Sequence, residues 1–342
     1  MKVRVRLKDI AEKVGVSIST VSRALSDSKM ISESTKKMIV KVARDMGYFP
    51  DPHARGLKKV RTRVVGILIP ELDNLFFAEA VSGMERALFS AEHQIILCST
   101  RGDPKKEVQS IRVLMSHNVD GVLAAPVDYK ANKKYYNMLL SSGIHLVFFD
   151  RFVSSVDAAH VISDNEGGIS TLVEYLIRMG HRKIGYIGLN LRIYTAKERL
   201  KAFMKFVKNG KIESRDEWIT HGEYAMEDAE RAVEKILSLK DRPTALVFAN
   251  NVATLGGLKV FRRYGIKIPD EISIVSFDDA HWNLVFDPPV TCVAQNPTQM
   301  GLFAATILLD SFTSNEKPGV DKSVVIKTKF IERGSVKRIG GV

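Results

Sequence analysis

The sequence predicts an α/β fold: a small all-α helix-turn-helix head, followed by a two-lobed body with parallel sheets. Three observations carry this. From Val64 onward, short and nearly continuous apolar runs alternate with amphipathic stretches of helical length, as in parallel sheets covered on both faces. Before Val64, apolar residues recur at i, i+3, i+4, i+7 in short segments punctuated by Gly and Ser. The charge is also uneven. Residues 1–63 hold 16 of the 51 Lys and Arg and six of the 39 Asp and Glu, so +10 of the net +12 lies there.

In the head, Leu7, Ile10, Ala11 and Val14 make one apolar stripe, and Gly15 supplies a turn. Ser17 is positioned to cap a second short helix, in which Val21, Ala24 and Leu25 share a face. Ile18, Ser19, Ser22 and Arg23 point the other way. An exposed isoleucine among hydroxyls and an arginine suits base edges, where a thymine methyl takes apolar contact and guanine takes Arg. Ser32 caps a third helix with Ile39, Val42, Ala43 and Met46 as its stripe, and Gly47 stops it. A basic tail would lack this periodicity. The head therefore reads as a module for double-stranded DNA, with Lys36 expected to neutralise a phosphate. The next segment, 51–58, has Asp51 and Pro52 as helix-start chemistry but is too short and polar to hold a helix alone.

The body's apolar runs are 64–70, 94–100, 120–127, 145–150, 183–189, 244–250 and 272–279. Helical stretches lie near 75–92, 104–117, 130–142, 166–180, 196–209, 226–239 and 251–264, with a last helix near 298–313 and a final pair of strands near 323–336. Ligands of such sheets bind at the carboxyl ends of strands. The polar residues there are Asp150 with Arg151, Asp278 with Asp279, Asn250 with Asn251, and Gln295. Phe76, Phe77 and Trp282 are candidate aromatic walls. Carboxylates, amides and an arginine against rings suit a neutral polyhydroxylated molecule. A sugar is the first expectation, and a nucleobase or nucleoside is the second.

The only cysteines, Cys98 and Cys292, make neither a disulfide framework nor a metal site, and no cofactor is expected. No apolar run approaches a membrane span and no signal core opens the chain, so a cytoplasmic location is expected. No nucleophile–base set appears, and Gly256–Gly257 makes no phosphate-binding fingerprint, so an enzyme is not expected.

The stretch LKDIAEKVGVSISTVSRAL, followed by ISESTKKMIVKVARDMGYFPDPHARGLKK, resembles the head of the LacI/GalR family of bacterial transcription regulators. The body motifs NLFFAEAVSGME, LVFFDR, MGHRKIGYIG, TAKERLKAF, FANNVATLGGL and VSFDDAHW extend the resemblance through the chain. It implies a helix-turn-helix head over 1–50 and a hinge helix over 51–63. It also implies a periplasmic-binding-protein-like body over 64–342. Lobe one would be about 64–163 plus 294–320, and lobe two about 164–290 plus 321–336. By position, Ile18, Ser19 and Arg23 would read bases, while Ser17, Thr20 and Ser22 would hold phosphates or support the helix. Arg55 would lie near the backbone, and Leu57 would wedge between base steps in the minor groove. Gly56 should raise the cost of ordering the hinge. Asp150, Arg199, Asn250, Asp278 and Gln295 would hold the effector, with Arg151, Thr195 and Tyr224 near it; Asn251 stands where the family usually has Asp. The implied function is a homodimeric repressor on a palindromic operator, controlled by a small-molecule effector. The alternative is a sugar receptor without DNA activity, which the +10 head disfavours.

Overall fold

The computed structural model of the protein describes residues 7–25, 28, 30–46, 62–222, 226–314 and 316–340. It divides into two compact units, Met1–Thr62 and Arg63–Val342.

The first unit holds α1 (Leu7–Val14), α2 (Ile18–Leu25) and α3 (Glu33–Asp45). Gly15 turns the chain at φ 75°, a region that a Cβ disfavours. The hydroxyl of Ser17 accepts from the Thr20 amide at 3.1 Å, and that of Ser32 from the Thr35 amide at 3.3 Å. These caps satisfy amides that a helix start leaves without partners. The apolar stripes then meet in one core of Ile10, Ala11, Val21, Ala24, Ile39 and Ala43. Lys36 does not stand out as a phosphate contact. It is buried beside this core and donates to Glu33 at 2.9 Å. Its place on the helix, one turn before Ile39, turns it inward, whereas its neighbour Lys37 is exposed.

The second unit starts with β1 (Val64–Ile69), α4 (Leu75–Ser90), β2 (Gln94–Ser99), α5 (Pro104–Ser116), β3 (Gly121–Ala124), α6 (Lys133–Ser141), β4 (His145–Phe149) and β5 (Ala159–Ser163). The chain continues as α7 (Asn165–Arg178), β6 (Ile184–Gly188), α8 (Tyr194–Lys208), β7 (Ile219–His221), α9 (Met226–Leu237), β8 (Ala245–Phe248), α10 (Asn251–Tyr264), β9 (Ser273–Phe277), α11 (Trp282–Val285) and β10 (Thr291–Ala294). It ends in α12 (Pro297–Ser314), β11 (Val324–Ile326) and β12 (Lys329–Ile331).

Two six-stranded sheets result, ordered β11-β5-β4-β3-β1-β2 and β12-β10-β9-β8-β6-β7. The two orders match strand for strand. Every pairing is parallel except β10 with β12. Each sheet is buried on both faces by helices, which is why its strands read as unbroken apolar runs. The strands β5, β7 and β10 do not stand out as runs, because His160, Thr220 with His221, and Thr291 break up their apolar residues.

The chain crosses between lobes three times: from β5 to α7, from β10 to α12, and from β11 to β12. The last crossing corrects the expected boundary. Val324–Ile326 pairs with Val161–Ser163 in the first sheet, so lobe one extends past residue 320 and lobe two resumes only near β12. Neighbouring strands that look like a hairpin pair are instead shared between sheets. Within lobe one, α12 packs on α4 with backbones nearly touching. A Cβ on Gly83 would sit 2.1 Å from the Thr298 carbonyl oxygen, and one on Gly301 would sit 1.9 Å from that of Ala80. Only glycine allows that crossing.

Asp279, a strand-end candidate, is engaged elsewhere. Both its oxygens accept from Arg333, at 2.7 Å each, fastening the C-terminal segment to lobe two. That pairing holds its carboxyl below the usual range against the opposing effect of burial. A depressed carboxylate stabilises the fold above its ordinary value near pH ~4 and loses that contribution as pH falls through the folded value. Asp279→Asn is therefore expected to cost about 2 kcal/mol at pH 7. Denaturation midpoints of variant and wild type should converge as pH falls through the folded value; a gap that stays constant from neutrality into acid would refute the pairing's role.

Candidate functional site

Two surfaces bring the candidate residues together. On the head, Val21 and Ala24 of α2 turn into the core, while Ile18, Ser19, Ser22 and Arg23 face outward. Ile18 remains 49% exposed, unusual for an isoleucine in so small a unit. The Ser17 hydroxyl lies 2.7 Å from that of Ser19 and 2.9 Å from that of Thr20, a hydroxyl cluster at the helix start. Oriented amides, hydroxyls and an arginine on one outward face can engage a phosphate backbone and base edges.

In the body, the strands of both lobes point their carboxyl ends into one cleft. Its cavity is lined by Phe76, Phe77, Asp150, Arg151, Thr195, Arg199, Asn250, Asp278 and Gln295 from the expected set. Asn74, Asn251 and the apolar Leu189, Ile193, Ala196 and Ala249 complete the lining. The lobes mirror each other here. Asp150 follows β4 and its amide donates to Val161 of β5, while Asp278 follows β9 and its amide donates to Val293 of β10. Both aspartates hold left-handed backbones, φ 60° and 88°. Aspartate tolerates this region better than most side chains, and both carboxylates line the cavity.

Asp150 accepts from Arg151 Nε at 2.9 Å, and the Arg151 guanidinium lies 5.5 Å from the Phe77 ring centre. Asp278 accepts from the Asn251 amide at 3.1 Å and from the Gln295 side-chain amide. Gln295 Oε1 is buried and has no hydrogen-bond partner among the described residues. Arg199 projects from α8. It donates Nε to Asn165 at 2.8 Å and Nη1 to the Ala249 carbonyl at 2.7 Å, and it stacks 3.6 Å from the Phe277 ring centre. Burial pulls its pKa below the usual arginine value, and the charges of Asp278 and Asp150 push it back up. Burial raises the Asp278 carboxyl, and Arg199 opposes that most strongly. Asn250 does double duty: it caps α10 through Ala253 at 2.8 Å and also lines the cavity.

The lobes touch across the cleft. Asn251 Nδ2 donates to Asn74 Oδ1 at 3.0 Å, the Tyr129 amide donates to the Arg192 carbonyl at 3.1 Å, and the rings of Phe152 and Tyr194 are 4.5 Å apart. Asn74 also caps α4 through the Phe76 amide.

Trp282 is not a wall of this cavity. It packs against the lobe-two core that includes Ile187, Phe248 and Phe261, because α11 turns its large apolar ring inward. Arg55, Leu57 and Tyr224 lie outside the described residues. No helix among the described residues is long and apolar enough to cross a membrane.

Comparison with known proteins adds decisive observations. Residues 6–51 match the model for bacterial regulatory proteins of the lacI family, and residues 173–336 match that for a periplasmic binding protein-like domain. The HTH-type transcriptional repressor PurR of Vibrio vulnificus is 32% identical over 335 residues, covering 97% of this chain and 99% of that protein. This chain belongs to the LacI family. Among solved structures, a LacI-family regulator from Silicibacter pomeroyi shares the fold with a TM-score of 0.82 at 24% identity, over 98% of this chain and 100% of that one. The transcriptional regulator CelR, solved with cellobiose, has a TM-score of 0.72 at 25% identity, over 97% and 100% of the two chains. The family is one of bacterial regulatory proteins, and this relative is a transcriptional repressor.

For a LacI-family protein, the sequence reading missed Asn74 in the cleft and Asn165 behind its arginine. Each sits at a helix start, where Asn is expected merely to cap or begin a helix. Nothing local to either residue signals a second partner across the fold.

Proposed function

We propose that the protein is a homodimeric repressor that reads a near-palindromic operator through α2 and releases or holds it according to a sugar in the interlobe cleft. The observation that carries the effector reading is the pair of left-handed aspartates, one from each lobe, around a buried arginine. Acceptors outnumber aromatic faces: Asp150, Asp278 and the unpartnered Gln295 Oε1 call for a ligand rich in donors. Hydroxyls on a ring supply them, and the half-buried Phe76 offers a face for the ring's apolar side. A cellobiose complex of a structurally similar regulator supports the same class.

A purine is the second reading, favoured by relatives named PurR. A thermal-shift panel of D-ribose, D-glucose and cellobiose against hypoxanthine, guanine and adenosine separates the two. A ligand that binds only the folded state raises Tm; at 100 times Kd the gain is about 2.7 kcal/mol. A shift with purines alone would overturn the sugar reading.

Dimerisation is supported by exposed apolar residues on lobe one, among them Phe89 of α4 and Leu97 on the edge strand β2. Two heads would then meet half-sites about one helical turn apart. For the reading face, Arg23→Ala should relax base preference at one position by about 1–3 kcal/mol. Lys37→Ala should weaken all sequences alike and reduce the salt slope. Equal loss on every sequence for both variants would move base reading away from Arg23.

A further inference from the structure

We propose that Asn165 is a positioning residue that locks the cleft arginine to the first crossover between the lobes. The inference rests on the reading of the cleft as the effector site.

Ser163 is the last residue of β5 in lobe one, and Asn165 is the first residue of α7 in lobe two. The chain changes lobes within these three residues. Asn165 is 5% exposed, and its amide is used at both ends. Its Oδ1 accepts from Arg199 Nε at 2.8 Å, and its Nδ2 donates to the Ser163 carbonyl at 3.0 Å. One side chain thus spans from lobe-one backbone to the guanidinium that faces the cavity.

The same turn of α7 also backs the ring that holds the other side of Arg199. Arg199 stacks on Phe277, and Phe277 in turn abuts Gly168. A Cβ on Gly168 would lie 2.5 Å from that ring and 3.2 Å from the Thr328 hydroxyl. Thr328 lies on the third crossover, between β11 and β12. The first turn of α7 therefore lies against two of the three crossings, holds Arg199 by its Nε edge, and packs behind the β9 ring on which the guanidinium face stacks. Its start is fixed in turn, since the Asp164 amide donates to Ile326 at the end of β11 and the Asp164 carboxylate caps Gly167.

A guanidinium held this way has little freedom of its own. A molecule that draws Arg199 toward the cavity loads the Asn165 amide, and through it the carbonyl at the crossover. The lobes can rotate only if the backbone at 163–165 changes direction. Asn165 then converts a contact at the cleft into a bias on that rotation, a coupling between ligand and lobe angle.

Two substitutions separate the two ends of the amide. Asn165→Asp keeps the acceptor for Arg199 and removes the donor to Ser163. Asn165→Ala removes both. The test is made on the full chain without any effector, so it does not depend on which molecule binds. Amide hydrogen exchange over 163–168 and exchange of the Arg199 Nε proton by side-chain NMR are measured together, with thermal melts to show that each variant is folded. In Asn165→Asp, the crossover amides are expected to exchange at least about tenfold faster while Arg199 Nε–H stays protected. In Asn165→Ala, both should quicken. A folded Asn165→Ala variant with wild-type exchange at both places overturns the proposal. So does Asn165→Asp that lowers Tm but leaves the crossover amides protected, since a merely structural role predicts that outcome. Failure of every sugar and purine in the panel above would instead overturn the effector reading and leave these exchange rates as they are.

Discussion

Arg199→Ala should abolish every effector-induced rise in Tm and lower the body's stability by about 3–5 kcal/mol at neutral pH. The guanidinium is almost wholly buried, donates to Asn165 and Ala249, and lies between two carboxylates. Removing it leaves a buried carbonyl and an amide oxygen without their donor, and two acidic groups facing each other with less positive charge between them. Arg199→Lys should recover little, because an ammonium cannot reproduce the planar fork or the stacking on Phe277.

The deficit should depend on pH in a defined direction. Burial raises the Asp278 carboxyl in the folded protein, and Arg199 is the strongest opposing influence. Without Arg199 it rises further. A group whose folded pKa is raised favours the folded state below its unfolded value, near pH ~4, and that contribution is lost as pH rises through the folded value. The variant should therefore lie nearest wild type in acid and fall away toward neutrality. Calorimetric melts at pH 4 and pH 7 measure this. A gap that widens in acid would show that Asp278 does not feel Arg199.

Ile39→Ala should remove specific DNA recognition altogether while leaving the body intact. Ile39 is fully buried in a small core, with six buried residues among those described, and truncation costs about 2–5 kcal/mol. A unit that small has little stability to lose, since domains of this size bury a modest fraction of their surface. The α2 surface that carries Ile18, Ser19 and Arg23 exists only while that core holds it. Selection from a random duplex pool should return a motif with wild-type protein and none with the variant, and trypsin should cut the variant's head first. Recovery of the same motif at the same affinity would show that the core is not what presents the reading face.

Much of this was legible in the chain. Helices in the head follow from apolar spacing and from Ser17 and Ser32 as caps, all of which are local signals. The strand-end residues Asp150, Asp278 and Asn250 were legible for another reason. Parallel topology brings all carboxyl strand ends to one side, so a residue type and a position in the run suffice. Lys36 and Trp282 misled because chemistry alone does not tell which way a side chain turns. The helix register turns Lys36 inward toward Glu33, and Trp282 packs half-buried against the lobe-two core.

The sequence by itself determined the family, the α/β class, the basic head and the set of polar strand ends, because periodicity, charge and motif spacing are properties of neighbours along the chain. Only the tertiary structure decided which sheet takes Val324–Ile326, that Asn251 meets Asn74 across 177 positions, and that Asn165 meets Arg199 across 34. The first and third form within a lobe as the chain packs on itself, and the second forms where the two lobes meet. An amide side chain gives no advance sign of which distant partner it will satisfy, since many partners have the same chemistry and packing selects one.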